Sequence, residues 1–128
     1  MSLNKYEIQV DNTTYIVDDI SFEYSQQDGD ASGRSDDGTM YREVIGLINK
    51  VSCDFKDSEK WKGATLSSIL QLLEKKSCSF NYYDPKENAR ITKNMYIVSD
   101  QIKVYLIDDV IYAQPFQIRF IQMDVDTI

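Results

Sequence analysis

Apolar and polar residues alternate along much of this chain. Tyr6, Ile8 and Val10 interleave with Lys5, Glu7 and Gln9, which sets the apolar side chains on one face of a short strand. Asp11-Asn12 reads as a turn, because both residues tolerate left-handed backbone and bond to it locally. Tyr15 to Val17 continues as a second strand. Ile20, Phe22 and Tyr24, interleaved with Ser21 and Glu23, form a third. Alternation then stops. Gln26 to Gly38 carries Asp28, Asp30, Asp36 and Asp37 with Gly29, Gly33 and Gly38, and no large apolar side chain. Burial cannot offset the ordering entropy of such a stretch, so a flexible polar loop is expected at about 26–39.

Alternation resumes over Met40 to Lys56. Ile45, Leu47, Val51, Cys53 and Phe55 share one parity, and Lys50, Ser52, Asp54 and Lys56 the other. That is long beside the usual strand of about five or six residues. The strand either projects beyond its own sheet or bends between two sheets, and Gly46 marks a bulge or bend. Asp57 to Gly63 is a connection in which Trp61 covers the edge of the core or anchors an interface. The spacing of Leu66, Ile69, Leu70 and Leu73 predicts a helix over Thr65 to Lys76. Thr65 would cap it, and Lys75 and Lys76 suit its negative end. Further strands follow at Cys78–Tyr82 and Arg90–Val98, then one carrying Ile102, Val104 and Leu106, then Val110–Met123. Asp84-Pro85 and Asp108-Asp109 are turns, and Pro115 requires an edge or a bulge in the last strand. About seven strands joined by short turns pair antiparallel. The expected fold is mainly β (α+β): an antiparallel β-sandwich or half-barrel with one flanking α-helix, in a single domain spanning 1–128.

Composition narrows the function. A chain of 128 residues buries roughly two thirds of its unfolded surface and needs no staples. The net charge of −7 argues against sequence-independent nucleic-acid binding, which needs a positive patch. Without His, the commonest general base and metal ligand is missing. Cys53 and Cys78 sit at apolar-parity positions and read as free, buried thiols; a bond between them is the alternative, but two Cys do not make a disulfide framework. This favours an intracellular site of synthesis. The N-terminus has no signal-peptide pattern. No apolar run approaches the roughly 20 residues that span a bilayer, so no membrane partner is expected.

The search for chemistry returns little. Asp28-x-Asp30 and Asp36-Asp37-Gly38 lack the regular oxygen ligands and closing Glu of a calcium loop. Gly29, Gly33 and Gly38 are followed by a strand and by no Lys-Ser/Thr, so they do not form a phosphate cradle. Asp18-Asp19 and Asp108-Asp109 look like turn residues, and nothing positively supports a glycosidase pair. The chain is therefore expected to be no enzyme and to hold no catalytic residue, cofactor or metal.

One segment carries a resemblance. Gly33-Arg34, then Gly38, Met40 and Arg42, then Ile45 and Gly46, is similar to a "GR-x-x-x-G-x-M-x-R" pattern. That pattern occurs in small tail-region proteins of phages and prophages of Gram-positive bacteria. The later Leu-rich helix, the Tyr82-Tyr83-Asp84-Pro85 turn and the closing alternation of Phe116 to Ile121 also match, so the similarity spans about Ile20 to Gln122. It implies a tail-tube-like sandwich of the siphophage kind. The function it implies is that of a virion structural protein in a tube, tail tip or connector. Its expected partners are itself, in a ring that is hexameric in such tails, and other phage tail proteins. Its expected location is the host bacterial cytoplasm during assembly, then the virion tail. Under that reading Gly33, Arg34, Gly38, Met40, Arg42, Ile45 and Leu47 form the assembly interface. Arg34 and Arg42 pair with acidic residues on a neighbour, or are ordinary surface charges. An acidic lumen would let DNA pass without sticking. Two other readings stand beside it. A monomeric β-sandwich ligand- or carbohydrate-binding module should show a concave pocket lined by several Tyr. A hydrolase should show two carboxylates facing each other in a cleft.

Overall fold

The computed structural model describes residues 4–28, 33–34, 40–41, 44–123 and 126–127. In chain order the elements are β1 (Glu7–Val10), β2 (Thr13–Ile16), β3 (Asp19–Asp28), β4 (Gly33–Arg34), β5 (Met40–Tyr41), β6 (Val44–Phe55), α1 (Gly63–Leu72), β7 (Cys78–Asp84), β8 (Ala89–Ser99), β9 (Val104–Ile107), β10 (Val110–Ala113), β11 (Phe116–Gln122) and β12 (Asp126–Thr127). The fold is mainly β with one helix, and all its strand pairs are antiparallel, as the short turns require.

Eight strands make one sheet in the order β2-β1-β7-β8-β11-β6-β3, with β12 following β11 along the same edge of β6. Two features roll this sheet into a half-barrel. β8 pairs with β7 through Ala89–Met95 but with β11 through Met95–Ser99, so only Met95 is shared and the strand turns the corner between two layers. β2 and β3, at opposite ends of the order, are joined by Val17 and Asp18 alone. Three Cα steps reach at most about 11 Å, so the two ends must lie close together. At that corner the Val17 N–H donates to the Tyr6 carbonyl and the Asp18 N–H to the Asp54 carbonyl, both at 3.0 Å.

The alternating residues fill the space between the layers. Ile8, Val10, Val51, Cys53, Phe80, Tyr82, Met95, Ile118 and Phe120 are all buried. Phe80 stacks on Phe120 with ring centroids 4.1 Å apart. Trp61 is core cover. It meets Phe55 edge-on at 4.8 Å and donates its indole N–H to Asp18 Oδ2 at 2.8 Å. Cys53 and Cys78 are free and buried. Burial pushes both thiols up, Cys78 to about 11.

The helix departs from its expected bounds. It starts at Gly63 after an extended Lys62, and Thr65 lies inside its first turn without capping it. The buried positions are Leu66, Ile69 and Leu72, whereas Leu73 is exposed past the helix end. Lys75 also lies beyond the helix and pairs with Asp11 at 2.7 Å instead of meeting the dipole. The segment expected as a strand over Val110–Met123 is two strands, because Pro115 follows Gln114, whose N–H donates away to the Lys103 carbonyl. Met40 to Lys56 likewise divides into β5 and β6. Gln26, Gln27 and Asp28, placed in the polar loop by composition, end β3, because they pair with Leu47, Gly46 and Val44.

Candidate assembly surfaces

β3 and β6 form one long hairpin paired from Asp19↔Asp54 to Asp28↔Val44, with a register shift at Gln27/Asp28 that skips Ile45. β11 borders β6 only over Lys50–Phe55. The hairpin therefore reaches past β11, with β12 beside β6 at Gly46 and Leu47. Past it, Gly33 pairs with Tyr41 and Arg34 with Met40 as a further two-stranded ribbon.

Of the residues expected at an interface, Gly33, Arg34 and Met40 are thus brought together across this ribbon. Leu47 lies in β6 between Gln26 of β3 and Asp126 of β12. Ile45 is in the β6 backbone at the register shift. Gly38 and Arg42 lie outside the described residues, as do Asp30, Asp36 and Asp37 of the acidic stretch.

Two edges of the layer β3-β6-β11-β8 are unpaired among the described residues. One is the outer edge of β3, which pairs only with β6. The other is the second half of β8 beyond Met95, which β7 does not reach. Alternation identifies the free donors. The Asn49 N–H is turned to Gln122 Oε1 on the β11 side, at 3.0 Å. Its neighbours Lys50 and Ser52 therefore face β3 and are met there by Glu23 and Ser21. Ile20, Phe22 and Tyr24 then turn their N–H groups outward. The edge presents a row of donors and acceptors to an incoming strand.

A polar cluster closes the core where the hairpin leaves it. The Tyr24 hydroxyl spans the two layers and donates to Asp84 Oδ1. Burial, then this bond, raises the Tyr24 pKa well above its ordinary value. Asn49 Nδ2 donates to the Tyr82 hydroxyl at 3.2 Å. Asp84 and Asn49 are buried, and each keeps one side-chain oxygen without a donor.

The second surface lies at the other end of the body and was missed by sequence reasoning. Among the described residues β9 and β10 pair only with each other, apart from a bridge between Lys62 and Tyr112. Register puts Leu106 with Ile111 and Val104 with Ala113 on one face, and Tyr105 with Tyr112 and Ile107 with Val110 on the other. Both faces are apolar, and Leu106 and Ile107 are 62% and 50% exposed. The signal was legible. Two apolar tetrads flank Asp108-Asp109, which both take positive φ as a two-residue hairpin turn requires. Between this ribbon and α1 runs a groove of about 570 Å³. Ala64, Leu66, Leu70, Val110 and Ile111 line it together with Glu74 and Asp109. No Tyr lines it.

Among the described residues no cluster of three or more His, Cys, Asp or Glu side chains could hold a metal. Asp18-Asp19 and Asp108-Asp109 are a corner and a turn, not a facing pair.

No protein-family model matches the sequence, and no curated protein matches it. Solved structures do match its fold. A chain of the virion of a native gene transfer agent particle superposes with a TM-score of 0.55 at 13% identity, covering 98% of this chain and 95% of that one. A chain of the tail of an empty gene transfer agent particle, of C6 symmetry, gives 0.52 at 12% identity, covering 100% and 98%. The chain thus shares the fold of phage-like particle and tail subunits over its whole length.

Proposed function

We propose that this chain is a structural subunit of a phage-type tail, without enzymatic activity, which closes a ring with copies of itself and contacts other tail proteins. The observation that carries the reading is the four-strand layer β3-β6-β11-β8 with two different open edges. A cyclic ring is built by heterologous contacts, in which one surface meets a different surface on the next copy. The β3 edge of one subunit joining the β8 edge of the next satisfies both edges and continues the layer around an axis. The C6 symmetry of the similar tail makes six the natural ring order, and the fold match over the full chain supports the same architecture. Assembly takes place in the cytoplasm of the host bacterium and leaves the subunit in the virion tail.

Amide hydrogen exchange at single-residue resolution tests the pairing. The amides of Ile20, Phe22 and Tyr24 exchange rapidly in the monomer and become protected in assembled rings. Those of Ser21, Glu23 and Ser25 are protected in both states. Rings in which the three outward amides still exchange at the monomer rate would rule out pairing through β3.

The ligand-binding alternative has less support, because the groove beside α1 lacks the aromatic lining that a carbohydrate platform needs.

A further inference from the structure

We infer that the polar cluster of Tyr24, Asn49, Tyr82 and Asp84, where the β3–β6 hairpin meets the core, is a binding site for one monovalent metal cation. The site does not depend on the ring reading.

The fold brings the four side chains together. Tyr24 and Asn49 stand directly opposite each other on β3 and β6. Tyr82 and Asp84, two positions apart on β7, share a face of that strand. Two hydrogen bonds link the layers. The Tyr24 hydroxyl donates to Asp84 Oδ1, and Asn49 Nδ2 donates to the Tyr82 hydroxyl at 3.2 Å. The Lys86 N–H also donates to Asp84 Oδ1, at 3.2 Å. Two oxygens are left over. Asn49 Oδ1 and Asp84 Oδ2 accept no hydrogen bond, although Asn49 is only 1% exposed and Asp84 0%.

Charge decides what these oxygens take. A buried carboxylate is costly unless a positive charge or a full set of hydrogen bonds offsets it. Among the described residues no Lys or Arg pairs with Asp84. Lys86, two positions on, holds its ammonium against Glu87 at 2.7 Å. A water would give both oxygens a donor but would leave the charge, whereas a metal cation meets both needs. Every donor atom here is an oxygen, which selects a hard cation. With one carboxylate among neutral groups, the cluster differs from sites built of several His, Cys, Asp or Glu. A single positive charge balances it, and a divalent ion would leave excess charge in a buried place. Tyr24 is 38% exposed on the open edge strand, which gives the ion a route from solvent.

Thermal unfolding of the full-length chain tests the site. Sodium, potassium and choline chloride are compared at equal ionic strength, which holds screening of the net charge of −7 constant. The Tm in sodium or potassium should exceed that in choline by about 5 °C once the metal is tenfold above its Kd, and should follow one-site saturation. Asp84→Asn keeps an acceptor for Tyr24 and Lys86, and its amide offers Asn49 Oδ1 a donor without an ion. That variant should melt at one temperature in all three salts, and above the native chain in choline. Sodium-23 line broadening by the native chain, reversed by potassium and not by choline, reads binding without any variant. A native Tm equal in all three salts would overturn the site, as would the lack of such broadening. Metal dependence that survives in Asp84→Asn places the ion elsewhere and also overturns it. Stabilisation by calcium chloride but by neither sodium nor potassium overturns the monovalent assignment.

Discussion

At Val17-Asp18 the chain crosses from one end of the sheet to the other, and one carboxylate collects the donors that this corner leaves over. Asp18 Oδ2 accepts the Lys56 N–H at 2.6 Å, the Asp57 N–H at 3.2 Å and the Trp61 indole at 2.8 Å. Partial burial opposes ionisation here, but these donors and the Lys60 charge outweigh it and hold the carboxyl below its ordinary 3.8. The unfolded chain therefore takes up this proton more readily than the folded one. The stabilisation is complete above about pH 4 and is lost as the pH falls through the lower folded value. Asp18→Ala is expected to cost about 2 kcal/mol at neutral pH, since three donors lose their acceptor. In Asp18→Asn the urea midpoint should fall less steeply than in the native chain as the pH is lowered below about 4. Equal slopes would show that the corner does not depend on the ionised carboxylate. The sequence marked Asp18-Asp19 as turn residues. It could not show that Trp61, 43 positions later, needs an acceptor there, because that demand arises only once Trp61 is buried against Phe55. Tyr24 belongs to the same class. Its alternation with Phe22 is visible, but its bond across the layers to Asp84 is not. Tyr24→Phe leaves a buried carboxylate with one donor fewer and should lower stability by about 1–3 kcal/mol in urea unfolding.

Among the elements, the helix shows what periodicity resolves and what it leaves open. The stripe at Leu66 and Ile69 correctly identified the buried face. The choice between Leu72 and Leu73 did not follow, because both fit a helical repeat and only the position of the sheet decides. The start was misjudged for a local reason. Gly63 has φ of +57°, a conformation open to glycine at little cost, and it lets the chain turn from extended Lys62 straight into the helix. A Cβ at Gly63 would meet no atom within 4 Å, so the effect of a substitution isolates the backbone term. Gly63→Ala should destabilise by about 1 kcal/mol in denaturant midpoint without changing the m-value. A neutral result would mean that the turn is not held in that conformation. The β9–β10 ribbon is the opposite case. Its turn chemistry was plain, but with Val110 read into one long strand to Met123, the two short strands were not seen as a ribbon apolar on both faces.

For the molecule as a whole, the balance between charge and apolar surface decides how copies meet. Each chain carries −7, so neighbours in a ring or stack repel at long range, while the contacts proposed to hold them are strand pairing and burial of the ribbon. Repulsion between net charges acts over distances comparable to the Debye length, which shrinks from about 10 Å at 0.1 M salt to about 3 Å at 1 M. Burial of Leu106, Ile107 and Ile111 is not screened. Ion pairs at a partly exposed contact between copies are weakened by salt, but each is worth less than about 1 kcal/mol. The long-range term is therefore expected to win. Raising sodium chloride from 0.05 M to 0.5 M should lower the protein concentration at which assemblies appear in sedimentation velocity. Leu106→Lys, which removes an exposed apolar side chain without touching the core, should raise that concentration at every salt level. A midpoint that rises with salt would mean that ion pairs, not the ribbon, dominate the contact. If the midpoint falls, strand pairing and apolar burial hold the assembly together against its own charge.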